Sequence, residues 1–395
     1  MVKATDVDIA IAGGGMAGAT LAWVLTQALP QLKLAIIEQQ PASAPSASFD
    51  SRSIALAAGS VDLLKQWGLW SELERYGCPI TDIQVSDRGH FGKAYLNTAD
   101  YHQPALGQVL EVEYLGQVLQ QKLAKATAVV RFQPDHIVAV TQQQEHCLLH
   151  LKHGAKLRAR LLVIAEGGQS PTRQLAGFQV TEQAYCQTAV IANLAVAAPH
   201  KFRAYERFTA NGPIALLPLP QQRYSLVWTC PPERAAELMQ LSESAFLSEV
   251  QQAFGYRAGI FTKAGQRASY PLSLRRAEQI VKHRITLMGN SLHNVHPIAG
   301  QGFNLAIRDI AQLLNLLRQQ PEDAGSYSLL RAYEKARQQD MQRVLWLTDA
   351  LVRTFSNQSR IMALLRNTGL LAMLLCDELK RPLAEQAMGF RTENA

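Results

Sequence analysis

The sequence predicts an α/β protein with a Rossmann-like fold, an inserted β-sheet domain and a helical C-terminal region. Three observations support this prediction: a strand, glycine turn and helix near the N-terminus, an apolar run that ends in glycines at 161–168, and a stretch from about 180 to 275 dominated by strand-like segments. At 395 residues, the chain exceeds the size at which one hydrophobic core usually stops growing. Two lobes are therefore expected.

The N-terminal strand runs directly into a glycine-rich turn, Gly13-Gly14-Gly15-Met16-Ala17-Gly18. Gly13, Gly15 and Gly18 match the pattern G-x-G-x-x-G. In this pattern the first glycine permits a tight turn, the second lets the backbone approach a pyrophosphate, and the third lets the helix pack against the strand. The helix that begins around Met16 and Ala17 points its first N–H groups at the same anion. The turn therefore predicts a site for a phosphate-bearing cofactor.

A second strand, 32–37, ends in the acid Glu38, which lies 20 residues after Gly18. A carboxylate at this distance can accept both ribose hydroxyl protons of an adenosine. Because it would repel a 2′-phosphate, the nucleotide held here is expected to be FAD or NAD rather than NADP. The alternative is a glycine-rich turn without a ligand, which the agreement of strand, turn, helix, second strand and acid disfavours.

The composition is that of a globular protein, with 48% hydrophobic and 18% charged residues, and no apolar run approaches a membrane span of roughly 18 residues. Asp6 and Asp8 argue against a signal peptide, so a cytoplasmic location is predicted. The net charge of +7 is spread along the chain, which favours a solvated basic surface over nucleic-acid binding. The five cysteines are scattered, and His293 and His296 lack companion ligands, so neither disulfides nor a metal site is predicted.

The loop at 41–48, rich in Pro, Ser and Ala, leads to Arg52, which is expected at the start of an apolar helix. Arg52 can be an ordinary surface residue, or it can neutralise a phosphate or lie over the ring of a bound cofactor. Further along, the pattern predicts short strands over 80–96, a helix through 115–123, and strands over 129–132, 137–140 and 147–151. The run 161–165 predicts a buried parallel strand that leads through Glu166 into a helix.

Between about 180 and 275 the strand-like segments are interrupted by one helical pattern, near 233–254, and we interpret this region as the substrate lobe. The nucleotide-binding fold then resumes with the strand 285–287, which closes on Gly289 and Asn290. After it, a further helix through Leu317 is opened by the residues Pro297, Gly300, Gln301, Gly302, Phe303 and Asn304. The two glycines Gly300 and Gly302 predict a second backbone cradle, for an anion or an electron-rich ring edge.

The tail from about 333 to 395 is helical by its periodicity, with many leucines and interspersed arginines. A helix pair packed on the core is one interpretation, and a basic amphipathic surface that contacts a membrane or a partner is the other. Together these patterns predict a nucleotide-binding domain of residues 1–74, 105–178 and 275–340, a substrate domain of 75–104 and 179–274, and a C-terminal helical region of 341–395.

Three stretches, in this order, resemble the motifs of the class A flavoprotein monooxygenases: 13–18 with Glu38, 166–173, and 289–304 with Asp309. The segments 52–56, 212–218 and 296–304 are similar in particular to the ubiquinone-biosynthesis hydroxylases. The resemblance implies a GR2-type FAD-binding fold like that of p-hydroxybenzoate hydroxylase. It also implies hydroxylation of a polyprenylated phenol, of the 2-polyprenyl-6-methoxyphenol type, with NAD(P)H and O2 through a flavin hydroperoxide.

The resemblance further implies which residues bind FAD: Gly13, Gly15, Met16, Ala17, Gly18, Glu38, Arg52, Glu166, Gly289, Asn290, Pro297, Gly300, Gln301, Gly302, Phe303 and Asn304. It assigns no catalytic base. Two departures from the family pattern stand out, because Glu166 and Asn290 occupy positions where the family usually has Asp. The first bears on how NAD(P)H is handled, and the second is expected to loosen FAD.

Two alternatives to the hydroxylase stay open at this point: another flavin-dependent oxidoreductase on the same fold, either a reductase or a halogenase, and a non-catalytic scaffold of a quinone-making complex. A polyprenylated substrate also implies contact with such a complex or with the surface of the inner membrane.

Overall fold

The computed structural model describes residues 4–41, 52–88, 93–209, 211–294, 301–355 and 388–389, and the side chains of Gln301 and of residues 343–355 are not described. The described strands are β1 (Thr5–Ala12), β2 (Leu34–Ile37), β3 (Ser53–Ala57), β4 (Cys78–Ile80), β5 (Asp82–Asp87), β6 (Lys93–Asn97), β7 (Gly107–Glu111), β8 (Val129–Phe132), β9 (Ile137–Gln142), β10 (Cys147–Leu151), β11 (Lys156–Ile164), β12 (Val180–Val196), β13 (Arg203–Thr209), β14 (Gly212–Leu219), β15 (Arg223–Cys230), β16 (Phe261–Ala264), β17 (Ala268–Ala277), β18 (Val281–Lys282), β19 (Ile285–Leu287) and β20 (His293–Asn294). The described helices are α1 (Met16–Ala28), α2 (Ala58–Gln66), α3 (Trp70–Leu73), α4 (Thr98–Tyr101), α5 (Val112–Ala124), α6 (Pro171–Leu175), α7 (Pro232–Gln240), α8 (Glu243–Phe254), α9 (Gln301–Gln319) and α10 (Tyr327–Phe355).

The first sheet has a parallel centre, and three of its parallel strands, β1, β11 and β19, lead into the predicted glycine turns. Over the described ranges its order is β18-β19-β11-β1-β2-β8, with β10 and β9 added antiparallel next to β11. Residues 9–12 of β1 are fully buried, which explains why this central strand is a continuous apolar run. Because β1, β2, β11 and β19 are parallel, the residues after them gather at one edge of the sheet: Gly13, Glu38, Glu166 and Gly289.

The second sheet has the order β20-β17-β12-β15-β14-β13-β5-β6, with β16 beside β12. One of its faces packs on α7 and α8 through an apolar cluster that includes Leu226, Trp228 and Phe246. Its strands β12 and β17 form a long antiparallel ribbon, paired from Val180 with Ala277 to Ile191 with Ala268. The chain enters the second sheet from α6 through β12 and leaves it through β17 toward β18 of the first sheet. The ribbon therefore contains both the entry and the exit of this segment.

The helical pattern predicted near 233–254 corresponds in the structure to two helices, α7 and α8, with Leu241 and Ser242 between them. The Ser242 hydroxyl accepts a hydrogen bond from the N–H of Ala245 at 3.3 Å. A serine that caps a new helix satisfies one of the otherwise unpaired N–H groups of its first turn. This local bond favours a break where the apolar periodicity alone predicts none.

The third sheet, β3-β7-β4, corrects the expectation that a helix starts at Arg52. Residues 53–57 form β3, which pairs antiparallel with β7 so that Ile54 lies opposite Leu110, and α2 begins only at Ala58. The partner strand lies far away in the sequence, and pairing of this kind overrides the helical periodicity of a short apolar run.

At the C-terminal side, α9 packs against α1 and α10, and the described pair Met388 and Gly389 lies against the start of α2. The Gly59 N–H donates to the carbonyl of Met388 at 2.9 Å. The helical tail predicted beyond Phe355 lies outside the described residues apart from this pair. None of the described helices combines the length and the hydropathy that crossing a bilayer requires. The predicted domain boundaries stay a prediction.

Candidate functional site

The turn after β1 needs its glycines for steric reasons. Gly13 has a φ of +101°, and a Cβ on it would lie 2.6 Å from the carbonyl oxygen of Ala165. A Cβ on Gly18 would lie 1.9 Å from the carbonyl oxygen of Gly13, so α1 can pack on β1 only with glycine at this position. A Cβ on Gly15, in contrast, would meet nothing within 4 Å. The middle glycine therefore borders open space, as a backbone that receives a ligand must.

The first turn of α1, at Met16 and Ala17, faces this space without an acidic side chain of its own. Gly15 is the N-cap residue of the helix, no side chain caps it, and its first turn holds no acidic residue. The N–H groups at a helix N-terminus need acceptors, and they carry a partial positive charge. This end of α1 fits a pyrophosphate group such as that of FAD.

Glu38 lies beside the same turn, directly after β2. One of its carboxylate oxygens accepts the N–H of Gly14 at 2.6 Å, and the other accepts the N–H of Gln40 at 2.7 Å. The side chain is partly accessible. An acid that borders the phosphate turn can accept ribose hydroxyl groups, and its charge disfavours a 2′-phosphate.

In the second motif, Glu166 uses its carboxylate to hold its own loop. It accepts hydrogen bonds from the hydroxyls of Ser170 and Thr172, both at 2.6 Å, and from the N–H of Thr172 at 3.1 Å. The backbone of Glu166 lies against Gly13, since a Cβ on Gly13 would be 2.9 Å from its Cα. The structure thus places Glu166 at the turn while its side chain organises the start of α6. Its contact with FAD stays a prediction.

Arg173 joins the second motif to the third. Arg173 is 6% exposed, and its guanidinium donates to the carbonyl of Gly168 and to that of Ser291, each at 2.8 Å. The hydroxyl of Ser291 in turn donates to the carbonyl of Gly167 at 3.1 Å. Burial, together with the nearby Arg275, lowers the pKa of Arg173. Two loops that are far apart in sequence are therefore tied into one wall of the site.

Gly289 begins the third motif with a left-handed backbone in a tight position, where a side chain would be strained. Its φ is +58°, and a Cβ on it would lie 3.3 Å from that of Ala17 and 3.4 Å from that of Ala306. Its N–H donates to the buried carboxylate of Asp309 at 2.9 Å. The next residue, Asn290, is exposed next to the start of α1. The predicted role of Asn290 at the cofactor agrees with this location but is not tested by it.

The start of α9 is fastened to β3 by one amide side chain. Asn304 is 3% exposed, accepts the N–H of Ala57 at 2.8 Å, and donates to the carbonyl of Ala55 at 2.8 Å. Phe303 is buried, and a Cβ on Gly302 would meet nothing within 4 Å.

For four other predicted residues the structure describes little or no side-chain contact with the site. Pro297 and Gly300 lie outside the described residues, and Gln301 is the first residue of α9. Arg52 is exposed just before β3, and its carbonyl accepts the N–H of Val112 at 2.8 Å. The hydrogen bonds of Asn304 bring β3, the strand that follows Arg52, beside α9. The predicted contact of Arg52 with the cofactor stays a prediction.

A buried ionic cluster, which the motifs alone do not indicate, supports the loop that begins at Gly289. Arg337 of α10 donates through Nε to Asp309 at 2.6 Å and also pairs with Asp340. Arg337 escaped prediction because an arginine on a helix usually points to solvent. His293 is fully buried 3.7 Å from Asp309, and burial lowers its pKa. In the described part of the chain, no group of three or more His, Cys, Asp or Glu side chains could hold a metal ion.

Comparisons with known proteins agree on the family and on the fold of this chain. The family described as FAD binding domain matches residues 6–348. Ubiquinone hydroxylase UbiL of Rhodospirillum rubrum is 35% identical over 387 residues, covering 97% of this chain and 89% of that protein. The 3-demethoxyubiquinol 3-hydroxylase of Escherichia coli is 32% identical over 388 residues, covering 97% and 98%. The crystal structure of p-nitrophenol 4-monooxygenase PnpA from Pseudomonas putida superposes with a TM-score of 0.81 at 16% identity, covering 99% of this chain and 100% of that one, which shows a shared fold.

Proposed function

Because the chain belongs to the FAD binding domain family and, within it, to the aromatic hydroxylases of ubiquinone biosynthesis, we propose that its substrate is a polyprenylated phenol of the 2-polyprenyl-6-methoxyphenol type. The reaction is hydroxylation of the aromatic ring with O2, with FAD as the bound cofactor and NAD(P)H as the reductant. Reduction or halogenation by the same cofactor, and a non-catalytic scaffold role, are the alternatives.

One observation carries the substrate proposal. The face of the second sheet that does not pack on α7 and α8 carries partly buried apolar side chains, Ile83, Leu217 and Val227 among others, beside a few polar ones such as Glu206 and Arg223. This face adjoins the third sheet, β3-β7-β4, which is called the small sheet below. Ile83 and Leu217 pack in the same apolar cluster as Val109 of β7. The small sheet is in turn bonded to the start of α9 through Asn304. An apolar surface beside a flavin site suits a phenol with a lipid tail.

These positions suggest different roles for FAD and for the protein residues. When bound, FAD supplies the activation of dioxygen, which no protein side chain provides alone. Gly13, Gly15 and the N-terminus of α1 would hold its pyrophosphate, and Glu38 its ribose. The apolar sheet face would orient the phenol ring and keep water away from the reacting atoms.

The test is incubation of the purified protein with FAD, NADH or NADPH, isotopically labelled O2 and a short-chain prenylphenol, followed by mass analysis. The expected product carries one labelled oxygen on its ring. A product without label would refute the hydroxylase in favour of a reductase or halogenase. If no yellow flavin spectrum develops even after FAD is added, the scaffold role is favoured instead.

We also propose that the protein works in the cytoplasm at the surface of the inner membrane, or within a multiprotein quinone-making assembly. A polyprenylated substrate partitions into bilayers, so an enzyme that acts on it must reach lipid or receive the substrate from a partner. Co-flotation of the protein with anionic vesicles tests the first possibility. Failure to float at low salt would contradict it.

A further inference from the structure

Glu206 lies in the middle of β13, between β5 and β14. It pairs with Val85 on one side and with Ala215 on the other. Side chains alternate along a strand, so Glu206 shares a face with Ala204, whereas Tyr205 points to the opposite face.

The two faces of this sheet have different neighbours. Tyr205 packs edge to face on Phe254 of α8, with 5.4 Å between ring centroids. Ala204 instead packs with Cys78 of the small sheet, whose strand β3 is bonded to Asn304. Glu206 therefore belongs to the face that is turned toward the start of α9, where the cofactor ring is predicted to lie.

The row of side chains that crosses the sheet through Glu206 is otherwise apolar. It consists of Ala94, Val85, Ala215, Val227 and Ile191. All of these except Ala94 are only partly buried, as expected for a surface that borders a cleft. Within the part of the chain that the structure describes, Glu206 has no hydrogen-bond or ion-pair partner. A lone carboxyl in an apolar row is costly, so a functional reason for it is expected.

Burial among these side chains raises the pKa of Glu206 to about 7. The titratable groups on its side of the sheet include Arg223 of β15, which lies on the same face as Val227 and pairs with Glu111 of β7 at 3.1 Å. Asp87 lies two residues beyond Val85 on β5, and Cys78 on β4 has a thiol whose pKa burial raises to about 12, so it stays neutral. The facing positions of β6 and β14 are apolar. A carboxyl that titrates near neutral pH suits general acid–base catalysis.

We propose that Glu206 is the catalytic base that takes the phenol proton of the substrate, an inference that rests on the proposed function. The ionised carboxylate accepts a hydrogen bond from the phenol O–H. As the ring is hydroxylated, the O–H bond breaks, the proton moves to a carboxylate oxygen of Glu206, and the electron pair stays on the phenol oxygen. This raises the electron density of the ring at the moment it attacks oxygen. The apolar row on either side holds the ring and the first part of its tail.

The first experiment compares the pH profile of hydroxylation in the wild type with that of Glu206→Gln, which keeps the shape of the side chain but cannot take a proton. In the wild type, kcat is expected to rise through about pH 7 and then to level off. In Glu206→Gln it should fall about 10²–10⁴-fold near neutral pH and rise continuously with pH as the phenol itself ionises. A ring-fluorinated, more acidic phenol should recover much of this loss. The matched control is Glu237→Gln on the exposed side of α7, which should keep the wild-type profile.

The second experiment needs no turnover. A prenylated 4-nitrophenol changes absorbance when it ionises, so its proton can be followed while it is bound to the protein. Beside Glu206 the two acids share one proton, and the bound probe should titrate in two steps. With Glu206→Gln it should titrate in one.

The outcomes separate the two proposals. If the wild type forms no hydroxylated ring from any phenol tested, the proposed function fails. If the wild type hydroxylates and Glu206→Gln does so with the same pH profile and the same two-step probe titration, only the assignment of Glu206 fails.

Discussion

Asp309 and Arg337 form an ion pair that is closed off from solvent. Nε of Arg337 lies 2.6 Å from Oδ1 of Asp309, and the two side chains are 1% and 0% exposed. The other carboxylate oxygen of Asp309 accepts the N–H of Gly289 at 2.9 Å. A single pair thus connects α9, α10 and the third loop of the cofactor site.

Arg337→Met is expected to lower the free energy of unfolding by about 3–5 kcal/mol, because it leaves the charge of Asp309 buried without its partner. Thermal or urea unfolding of the FAD-free protein measures this loss. The control is Lys65→Met on α2, where the lost pair with Asp62 joins two side chains that are 51% and 49% exposed to solvent. Its cost is expected to stay below about 1 kcal/mol. Similar losses in both variants would contradict the special role of the buried pair.

Gly15→Ala is expected to leave the fold intact and to abolish FAD retention. The added Cβ meets no protein atom within 4 Å but enters the space predicted for the pyrophosphate. Flavin absorbance after purification and the melting temperature of the FAD-free protein measure the two effects. Gly116→Ala in α5, where a Cβ likewise meets nothing within 4 Å, is the matched control and should retain FAD. A Gly15→Ala protein that keeps its flavin would overturn the assignment of this turn.

Asn290→Asp is expected to tighten FAD binding about 5–10-fold, because a carboxylate accepts a hydrogen bond from a hydroxyl more strongly than a neutral amide does. Asn290 is exposed beside the first turn of α1, so the new charge carries little desolvation cost. Titration of the FAD-free protein by flavin fluorescence measures the change. Unchanged or weaker binding would show that this side chain does not contact the cofactor.

Glu206→Gln is expected to be more stable than the wild type at high pH. The pKa of Glu206 in the folded protein is about 7, above its ordinary value of 4.5, so its contribution favours folding at low pH and is lost as the pH rises toward 7. The amide has no charge to bury, and at pH 8 the variant should gain about 1–3 kcal/mol. Near pH 4 the two proteins should melt alike. A stability difference that does not change with pH would contradict the raised pKa.

Local patterns predicted the part of the site that is made by consecutive residues. The turn from Gly13 to Gly18 and the position of Glu38 belong to one strand–helix–strand unit. The spacing of these residues along the sequence predicts that unit directly. The strand after Arg52 could not be predicted in this way, since its partner β7 lies far along the chain. Glu206 was missed for a similar reason. Its apolar neighbours Val85 and Ala215 come from other strands, so only the assembled sheet shows that it is a lone carboxyl.

The ribbon of β12 and β17 has a practical consequence for protein engineering. Val180 lies opposite Ala277, so the chain leaves the nucleotide-binding sheet and returns to it at neighbouring positions. Residues 181–276 can therefore be exchanged as one segment, provided that the graft also carries β5 and β6 and that the recipient supplies β20, the remaining strand of the same sheet. Chimeras cut at these points test whether the second sheet sets the preference of the enzyme for its aromatic substrate.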